Sequence, residues 1–366
     1  MKIAFIGGRD IHTLGGIENY MLNLATQLVI LGHEPIVFCE SEHNGEEIVN
    51  GFRVIHQKGP KNNLICKPWL GLKSTLFTIR KLKNVDMIHY NAWPPSLWSP
   101  LARVFGIRTL MQGHGLEWQR SKYSAPARRI MKLMEWFTAH LNRDLIMCSQ
   151  DQCRYFKEHY NRDSVCIPTA INIPNSHNDT NICKKFGLEE KKYFLFLARL
   201  VQDKNPDYLI KAFKNVAPVG YKLVIAGDNQ SDYKYVDYLH KLAVGNKNII
   251  FTGGVYGDDK ETLLKHAYMF CLPSTIEGLS ISLLEAMSFK LPIIASDIPA
   301  NHEVLAKDKA LWVQAENISD LESAILHAVT NSSKIYRSVD FNYNLVVDNY
   351  TWACVTKKYI DHIYKL

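Results

Sequence analysis

The stretch PSTIEGLSISLLEAMSFKLPIIASDIP, residues 273–299, contains the local pattern around which the rest of the chain is arranged. Gly278 interrupts an extended run, and Ser280 or Ser282 can cap a helix. Leu283 and the apolar residues after it recur at helical spacing, and a second apolar run follows the helix. The stretch therefore predicts a loop, a short buried helix and a strand, which is one repeat of an α/β fold.

Two carboxylates lie on either side of the predicted helix start, Glu277 in the loop and Glu285 inside the helix. A helix N-terminus has unpaired N–H groups and about half a positive charge, so it favours a phosphate between the two acids. Each carboxylate can accept two hydrogen bonds from a vicinal diol. The pattern predicts a site in which a phosphate binds at the helix N-terminus and a sugar hydroxyl pair binds at each carboxylate. If only the two acids are considered, the alternative interpretation is that Glu277 and Glu285 are solvated charges near a helix start and bind no ligand.

The beginning of the chain has a similar strand, turn and helix pattern. Residues 2–7 form an apolar run typical of a buried parallel strand, and residues 35–39 form the next one. Between them Gly15 and Gly16 open a predicted helix, where backbone N–H groups can approach a diphosphate without a Cβ in the way. A plain helix-start turn explains the two glycines equally well.

Two further predicted strands, residues 85–89 and 109–112, are each followed by a loop rich in functional side chains, residues 91–95 and 113–118. In open α/β sheets, ligands bind beyond the carboxyl ends of the strands. His114, with a glycine on each side, is therefore a candidate site residue.

A segment rich in Pro, Asn, Ser and Thr, residues 168–181, indicates a linker, and strand and helix patterns resume after it. Arg199 follows a predicted strand and Lys204 lies five residues further on, where both cations can face a diphosphate. We predict the α/β class, with two Rossmann-like, doubly wound domains facing a central cleft. The predicted parts are residues 1–170, residues 171–349 and a C-terminal helix, residues 350–366, that packs back on the first domain.

The composition limits where the protein can act. No run of about 18 apolar residues is present, the start of the chain lacks a signal-peptide pattern, and the eight cysteines show no Cys-x-x-Cys spacing. Residues 1–170 contain 21 Lys and Arg against 14 Asp and Glu, while residues 171–366 contain 22 of each. The excess positive charge in the first half favours an anionic surface. We expect a cytoplasmic protein, peripheral at the inner face of the cell membrane, with no nucleic-acid partner.

A predicted basic amphipathic helix, residues 127–141, supports the membrane interpretation. Ile130, Leu133 and Phe137 share one face with other apolar residues, and Arg128 and Arg129 lie on the other. An ordinary packed helix fits the same pattern and is the preferred interpretation.

Together these motifs resemble the retaining glycosyltransferases of family four, which have the GT-B fold. Glu277 and Glu285 fit the family's E-x7-E pattern, and Arg199 and Lys204 provide an R-x4-K upstream. The resemblance covers nearly the whole chain. In the first half it rests on GGIENYMLNLATQL and HGLEW, which look like bacterial enzymes that assemble capsule, O-antigen or exopolysaccharide repeats.

The resemblance implies that a nucleotide-diphosphate sugar is the donor substrate. Its diphosphate would be held by cations and backbone N–H groups from both halves of the chain, namely Arg199, Lys204, Gly15, Gly16, Gly278, Leu279 and Ser280.

The resemblance also implies roles around the sugars and the base. Glu285 would bind the ribose, Glu277 and His114 would meet the donor sugar, and Val255 would touch the base. The implied catalytic set is His114, Glu277, Arg199 and Lys204.

Fixed cations at the leaving diphosphate make a metal or other cofactor unnecessary, so we expect none. No carboxylate is an obvious nucleophile, which favours front-side attack over a covalent intermediate. We expect a hexosyl- or rhamnosyl-type transferase that acts on a lipid-linked or growing glycan. The alternatives are an enzyme with a soluble acceptor, an epimerase, or a non-enzymatic nucleotide-sugar-binding scaffold.

Overall fold

The computed structural model describes residues 1–13, 15–60, 63–116, 118, 125–174, 179–229, 232–331 and 336–364. Three predicted features lie partly outside this range: Glu117 in the loop after residue 112, residues 175–178 of the linker, and residues 365–366 of the C-terminal helix. The chain forms two compact units, Met1–Ala170 with Trp352–Leu366 (unit 1) and Ile171–Thr351 (unit 2).

Unit 1 is built on one sheet whose strands follow the order β3-β4-β2-β1-β5-β6-β7-β8. Its pairs are parallel except for the antiparallel hairpin of β3 and β4. The strands are β1 (Lys2–Gly8), β2 (Glu34–Ser41), β3 (Gly45–Val49), β4 (Phe52–Lys58), β5 (Met87–Asn91), β6 (Arg108–Gly113), β7 (Asp144–Met147) and β8 (Val165–Cys166). The central strands are buried almost throughout, as apolar runs without alternation predict for parallel strands with helices on both faces.

The helices of unit 1 connect these strands. They are α1 (Gly16–Ile30), α2 (Asn63–Lys81), α3 (Trp93–Ser96), α4 (Ser99–Val104), α5 (Ala125–Leu141) and α6 (Gln150–Tyr160). The predicted strand 85–89 is placed two residues too early, because Met87–Asn91 is the segment that pairs with both β1 and β6. Asn91 thus ends a strand, and the predicted loop after it is replaced by the short helix α3.

Unit 2 has a second, parallel sheet with the strand order β11-β10-β9-β12-β13-β14. Its strands are β9 (Tyr193–Leu197), β10 (Lys222–Ala226), β11 (Ile249–Gly253), β12 (Met269–Leu272), β13 (Ile293–Ser296) and β14 (Leu311–Val313). Its helices are α7 (Ile182–Lys185), α8 (Pro206–Val216), α9 (Tyr233–Ala243), α10 (Gly257–His266), α11 (Ile281–Ser288), α12 (Pro299–His302), α13 (Ile318–Thr330) and α14 (Val339–Asn349).

Both sheets have a point at which the strand order reverses. The chain builds outward from β1 on one side and then continues from β5 on the other, and in unit 2 the corresponding pair is β9 and β12. Ligands of open α/β sheets bind at the carboxyl ends of the strands at such points. The two units are therefore Rossmann-like α/β domains, each with its own expected binding edge.

The last residues pack on unit 1. Helix α15 (Trp352–Tyr359) continues into a π-helical turn (Ile360–Tyr364), and its apolar residues join the core around Tyr20. Tyr359 accepts a hydrogen bond from Tyr20 and donates one to the Gln112 side chain. The boundary of unit 2 after Thr351 lies two residues beyond the predicted one, because Ile171 N donates to Tyr350 O inside unit 2.

Helix α5 differs from the preferred expectation of a packed apolar face. Its apolar residues Ile130, Leu133 and Phe137 are 47%, 56% and 41% exposed. The face that packs instead contains Glu135, which accepts hydrogen bonds from the side chains of Trp118, Tyr155 and Tyr160. The buried polar network fixes the helix orientation, so the apolar side chains point outward.

Among the described residues, none of the helices combines the length and the apolar character needed to cross a bilayer.

Candidate functional site

The loops after β9 and β12 are joined at the reversal point of unit 2. Thr275 N donates to Asp203 O at 2.9 Å, and Asn205 Nδ2 donates to Pro273 O at 2.9 Å and to Thr275 Oγ1 at 2.7 Å. Asn205 has φ of 51°, in the left-handed region that asparagine tolerates better than most residues. These bonds hold the turn that carries Lys204 against the loop that carries Glu277.

Lys204 and Glu277 form a close ion pair, with 2.5 Å between Nζ and Oε1. The Glu277 side chain is 5% exposed and that of Lys204 is 23% exposed. The Lys204 ammonium is therefore the close charged neighbour of this carboxylate oxygen. A carboxylate has two acceptor oxygens, so Glu277 can contact this cation and also accept a hydrogen bond from a ligand hydroxyl group.

Helix α11 begins directly after this loop. Ser280 is its N-cap and its hydroxyl accepts from Leu283 N at 3.3 Å, which resolves the choice between the two predicted capping serines. Leu283, Leu284 and Met287 of α11 are fully buried, as their spacing predicts. The helix N-terminus therefore lies beside the Lys204–Glu277 pair, with Gly278 and Leu279 leading into it.

Glu285 has a partner that the sequence patterns did not indicate. Lys260 Nζ in α10 donates to Glu285 Oε1 at 2.6 Å, and both side chains are partly buried, at 27% and 19% exposure. The pair spans 25 residues of sequence, so no local periodicity relates the two positions. The second carboxylate oxygen makes no described hydrogen bond, and it can accept from a diol.

The remaining predicted residues of unit 2 differ in burial. Arg199 is exposed just after β9. The end of this strand packs closely against Gly227, because a Cβ on Gly227 would lie 1.9 Å from Ala198 O. Val255 follows β11 and is buried in the core of the unit, 9% exposed.

In unit 1 the predicted glycine pair starts a helix. Gly15 is the N-cap of α1, and a Cβ at Gly16 would meet nothing within 4 Å. A Cβ at Gly15 would lie 1.8 Å from Oε2 of Glu18, a buried acid of the first turn that accepts from Arg9 N at 2.8 Å. The sequence patterns missed Glu18, although an acid in the first helical turn is a recognisable signal.

His114 lies after β6, and both of its ring nitrogens make long polar contacts. Nε2 is 3.4 Å from Asn91 Oδ1, Nδ1 is 3.8 Å from Cys148 Sγ, and Tyr20 packs edge-on against the ring at 4.7 Å between centroids. Burial, aided by the positive charge of Lys67, lowers the pKa of His114 to about 3. The imidazole is therefore neutral at pH 7 and can both donate and accept a hydrogen bond.

Within unit 2, the structure brings together two anionic side chains, two cationic ones and a capped helix N-terminus. Glu277, Lys204, Ser280, Glu285 and Lys260 can bind hydroxyl groups next to a phosphate. In unit 1, a neutral histidine and a glycine helix start occupy the carboxyl edge of the sheet. Each of these two edges, taken by itself, suits a polar, phosphorylated ligand.

The chain matches two family models, one for each unit. Residues 178–343 match glycosyl transferases group 1, and residues 14–174 match glycosyltransferase family 4. Among curated proteins, an uncharacterized glycosyltransferase of Methanocaldococcus jannaschii is 24% identical, with 100% of this chain and 98% of the relative covered.

Two bacterial relatives match over shorter regions. The UDP-Gal:alpha-D-GlcNAc-diphosphoundecaprenol alpha-1,3-galactosyltransferase of Escherichia coli is 28% identical over 62% of each chain. The O-antigen chain mannosyltransferase RfbU of Salmonella typhimurium is 33% identical over 45% of each chain.

The solved structure of Anabaena HepE in complex with UDP-glucose superimposes with a TM-score of 0.80 at 15% identity, covering 100% of both chains, so the two share a fold. The two family models divide the chain in the same way as its two Rossmann-like units, and the predicted resemblance is confirmed. This chain belongs to glycosyltransferase family 4 and is a glycosyltransferase of the GT-B type.

Proposed function

We propose that the chain is a retaining, metal-independent glycosyltransferase that moves a hexosyl- or rhamnosyl-type sugar from a nucleoside diphosphate to a lipid-linked or growing glycan in surface polysaccharide synthesis. The observation that carries the proposal is the Lys204–Glu277 pair beside the N-terminus of α11 at the reversal point of unit 2. A cation, a helix N-terminus and a buried carboxylate suit a diphosphate joined to a sugar.

The proposed donor contacts follow from these positions. Lys204 and Arg199 bind the diphosphate, and the backbone N–H groups of Gly278, Leu279 and Ser280 bind its distal phosphate. The proposal also assigns Gly15 and Gly16 of unit 1 to the diphosphate, as the family resemblance implies. Open space at Gly16 supports the close approach of a ligand there.

The sugars and the base are assigned to the remaining residues. Glu277 accepts from a donor-sugar hydroxyl, while Lys204 balances the charge of its carboxylate. Glu285 binds the ribose diol, and Val255 contributes its backbone next to the base, since its side chain is committed to the core. His114 contacts the donor sugar as a neutral hydrogen-bonding group.

In the proposed step, the bond between the anomeric carbon and the diphosphate oxygen breaks and its electron pair goes to that oxygen. The acceptor oxygen forms its bond to the anomeric carbon from the same face, and its proton passes to the departing phosphate. Negative charge grows on the diphosphate, where Arg199, Lys204 and the helix N-terminus stabilise it. These fixed charges take the role that a divalent cation has in other transferases, so the proposal includes no metal or cofactor.

The names of similar proteins support a nucleotide-sugar donor and a lipid-linked acceptor. HepE was solved with UDP-glucose, and the E. coli relative uses UDP-Gal and an acceptor on diphosphoundecaprenol. The mannosyltransferase relative acts on an O-antigen chain. Shape and a few hydrogen bonds decide which sugar fits, so the donor has to be identified by binding.

Nucleotide binding can be tested first by thermal shift with UDP, GDP, dTDP, CMP and their sugar conjugates. A ligand at 100 times its dissociation constant stabilises the folded chain by about 2.7 kcal/mol. We expect one nucleotide to raise Tm without added metal. If none does, the donor assignment in unit 2 is refuted.

Transfer can then be assayed with the responding donor and a diphosphoundecaprenol-linked sugar acceptor. Glu277→Ala should abolish transfer and leave nucleotide binding nearly intact. Asp237→Ala, which removes an acid 62% exposed elsewhere in unit 2, is the matched control and should transfer normally. Normal transfer by Glu277→Ala would remove Glu277 from the mechanism. NMR of the product should show a retained anomeric configuration, and turnover without acceptor would indicate an epimerase.

The proposed location is the cytoplasmic face of the membrane, and helix α5 supports it. Its outward face combines Ile130, Leu133, Trp136 and Phe137 with Arg128, Arg129 and Lys132, which suits an anionic bilayer interface. Each basic residue near anionic lipid contributes about 1 kcal/mol.

Flotation with phosphatidylglycerol vesicles tests this surface. Leu133→Ser should reduce the bound fraction several-fold, because Leu133 is 56% exposed on α5. Val219→Ser, at a residue 96% exposed in unit 2, is the matched control and should bind like the wild type. Equal binding of the two variants, or equal binding to neutral and anionic vesicles, would contradict the membrane assignment.

A further inference from the structure

Three potential metal ligands converge at the edge of unit 1, on the loop after β1 and the hairpin of β3 and β4. His12 Nε2 lies 2.7 Å from Glu47 Oε1, and His56 Nε2 lies 2.8 Å from the same oxygen. All three ligand atoms lie within 4.8 Å of one another. Both imidazoles therefore direct their Nε2 atoms to the same carboxylate oxygen.

Regular structure holds the two hairpin ligands in place. In the antiparallel register Glu47 is opposite Val54 and His56 is opposite Gly45, so Glu47 and His56 are diagonal neighbours across the hairpin. On the same strand, the adjacent acid Glu46 is occupied by a separate ion pair with Arg53. Ligands placed on paired strands are more precisely positioned than ligands on loops.

The third ligand is held by a tight turn. Thr13 N donates to Asp10 O at 2.9 Å, and His12 N donates to Asp10 Oδ1 at 3.0 Å. This turn lies between Gly8 at the end of β1 and the start of α1. The cluster thus links the β1–α1 loop to the hairpin at the sheet edge.

The chemistry of the three groups selects the type of ligand. Two imidazole nitrogens and one carboxylate oxygen suit borderline first-row divalent ions and are a poor set for Mg²⁺ or Ca²⁺, which prefer oxygen. The His12 and Glu47 side chains are 59% and 36% exposed, so solvent can occupy a fourth coordination position.

The spacing requires little change for Zn²⁺. Zinc lies about 2.0–2.2 Å from nitrogen and oxygen ligands, which places tetrahedral ligand atoms about 3.3–3.5 Å apart. The two nitrogen–oxygen distances would have to grow by about 0.5–0.8 Å from 2.7 and 2.8 Å. Small side-chain rotations of the exposed His12 and Glu47 achieve this.

We propose that His12, Glu47 and His56 form a structural site for Zn²⁺ that ties the β1–α1 loop to the β3–β4 hairpin. None of the three residues belongs to the proposed transfer machinery. The site is therefore compatible with metal-free transfer. Whether zinc binds there can be tested independently of the proposed function.

The test uses the full chain without a polyhistidine tag, stripped with a chelator and titrated with ZnCl₂ by isothermal calorimetry. We expect one tight site per chain and a Tm several degrees higher with zinc. His56→Ala, Glu47→Gln and His12→Ala should each weaken zinc binding at that site at least tenfold. Co²⁺ bound to the wild type should give a visible d–d spectrum typical of low-coordinate nitrogen and oxygen ligation.

His43→Ala is the matched control, because the His43 ring stacks near His56, at 6.3 Å between centroids, while its nitrogens lie outside the converging group. It should bind zinc like the wild type, and circular dichroism should show that each variant is folded. Absence of micromolar zinc binding by the wild type would overturn the proposal. Zinc binding that survives His56→Ala and Glu47→Gln unchanged would also overturn it, because the ion would then bind elsewhere.

Discussion

The ion pair between Lys204 and Glu277 predicts an asymmetric response to mutation. Replacing Lys204 with Met leaves a carboxylate whose side chain is only 5% exposed without its counter-charge at 2.5 Å. Removing one partner of a buried pair typically costs about 3–5 kcal/mol. The 23% exposure of Lys204 lets water reach the site. We therefore expect Lys204→Met to lower the free energy of unfolding by about 2–3 kcal/mol.

Glu277→Gln leaves an ammonium that can turn toward solvent, so it should cost less than Lys204→Met. The double variant Lys204→Met/Glu277→Gln has no unpaired charge and should regain most of the lost stability. Replacing both members of a buried pair is often close to neutral.

Differential scanning calorimetry of the two single variants and the double variant measures these differences. A loss of 2–3 kcal/mol corresponds to a Tm decrease of about 5–10 °C for a domain of this size. Lys241→Met is the matched control, since Lys241 pairs with Asp237 at 2.6 Å while both side chains are largely exposed, at 73% and 62%. It should change stability by less than about 0.5 kcal/mol. If Lys204→Met is as stable as this control, the buried ion pair is not formed and the reasoning is refuted.

Three further predictions concern other features. Lys260→Met should weaken nucleoside diphosphate binding about three- to tenfold, as expected for loss of a charge-assisted hydrogen bond; calorimetry should find no such effect in a Glu285→Gln background. The pKa values of His89 and His114 are lowered by burial to about 3 from 6.5, so the unfolded chain binds more protons below pH 6.5. Stability should fall as the pH drops from about 6.5 toward 3, and His89→Gln should reduce that slope in urea unfolding at pH 7, 5 and 4. Ser280→Ala removes the α11 cap and should lower the unfolding free energy by about 1 kcal/mol, and Ser280→Thr should restore most of it.

Local patterns predicted the elements of the fold well. The glycine pair predicted the start of α1, and Ser280 was one of the two serines predicted to cap α11. Apolar runs predicted strands such as β1, β2 and β6, whereas the hairpin of β3 and β4 was not predicted. Each of these features depends on residues within a few positions of one another. The strand near residue 87 was placed two residues early, because its bounds follow from pairing with β1 and β6 and not from its own apolar pattern.

The apolar face of α5 was misjudged for a related reason. The spacing of Ile130, Leu133 and Phe137 is the same for a packed helix and for one with an exposed apolar face. Only the hydrogen bonds of Glu135 to distant tyrosines decide which face turns inward. A sequence pattern shows that a helix is amphipathic, and it does not show what covers it.

The sequence by itself determined the α/β class, the two halves, the family motifs and the candidate carboxylates, since these are properties of residue type and short spacing. Only the tertiary structure decided that Lys204 meets Glu277 across 73 residues, that Lys260 holds Glu285, and that His12, Glu47 and His56 converge. The strand order brings such positions together, and burial then sets their protonation. Neither can be read from local periodicity, because both depend on which distant segments become neighbours.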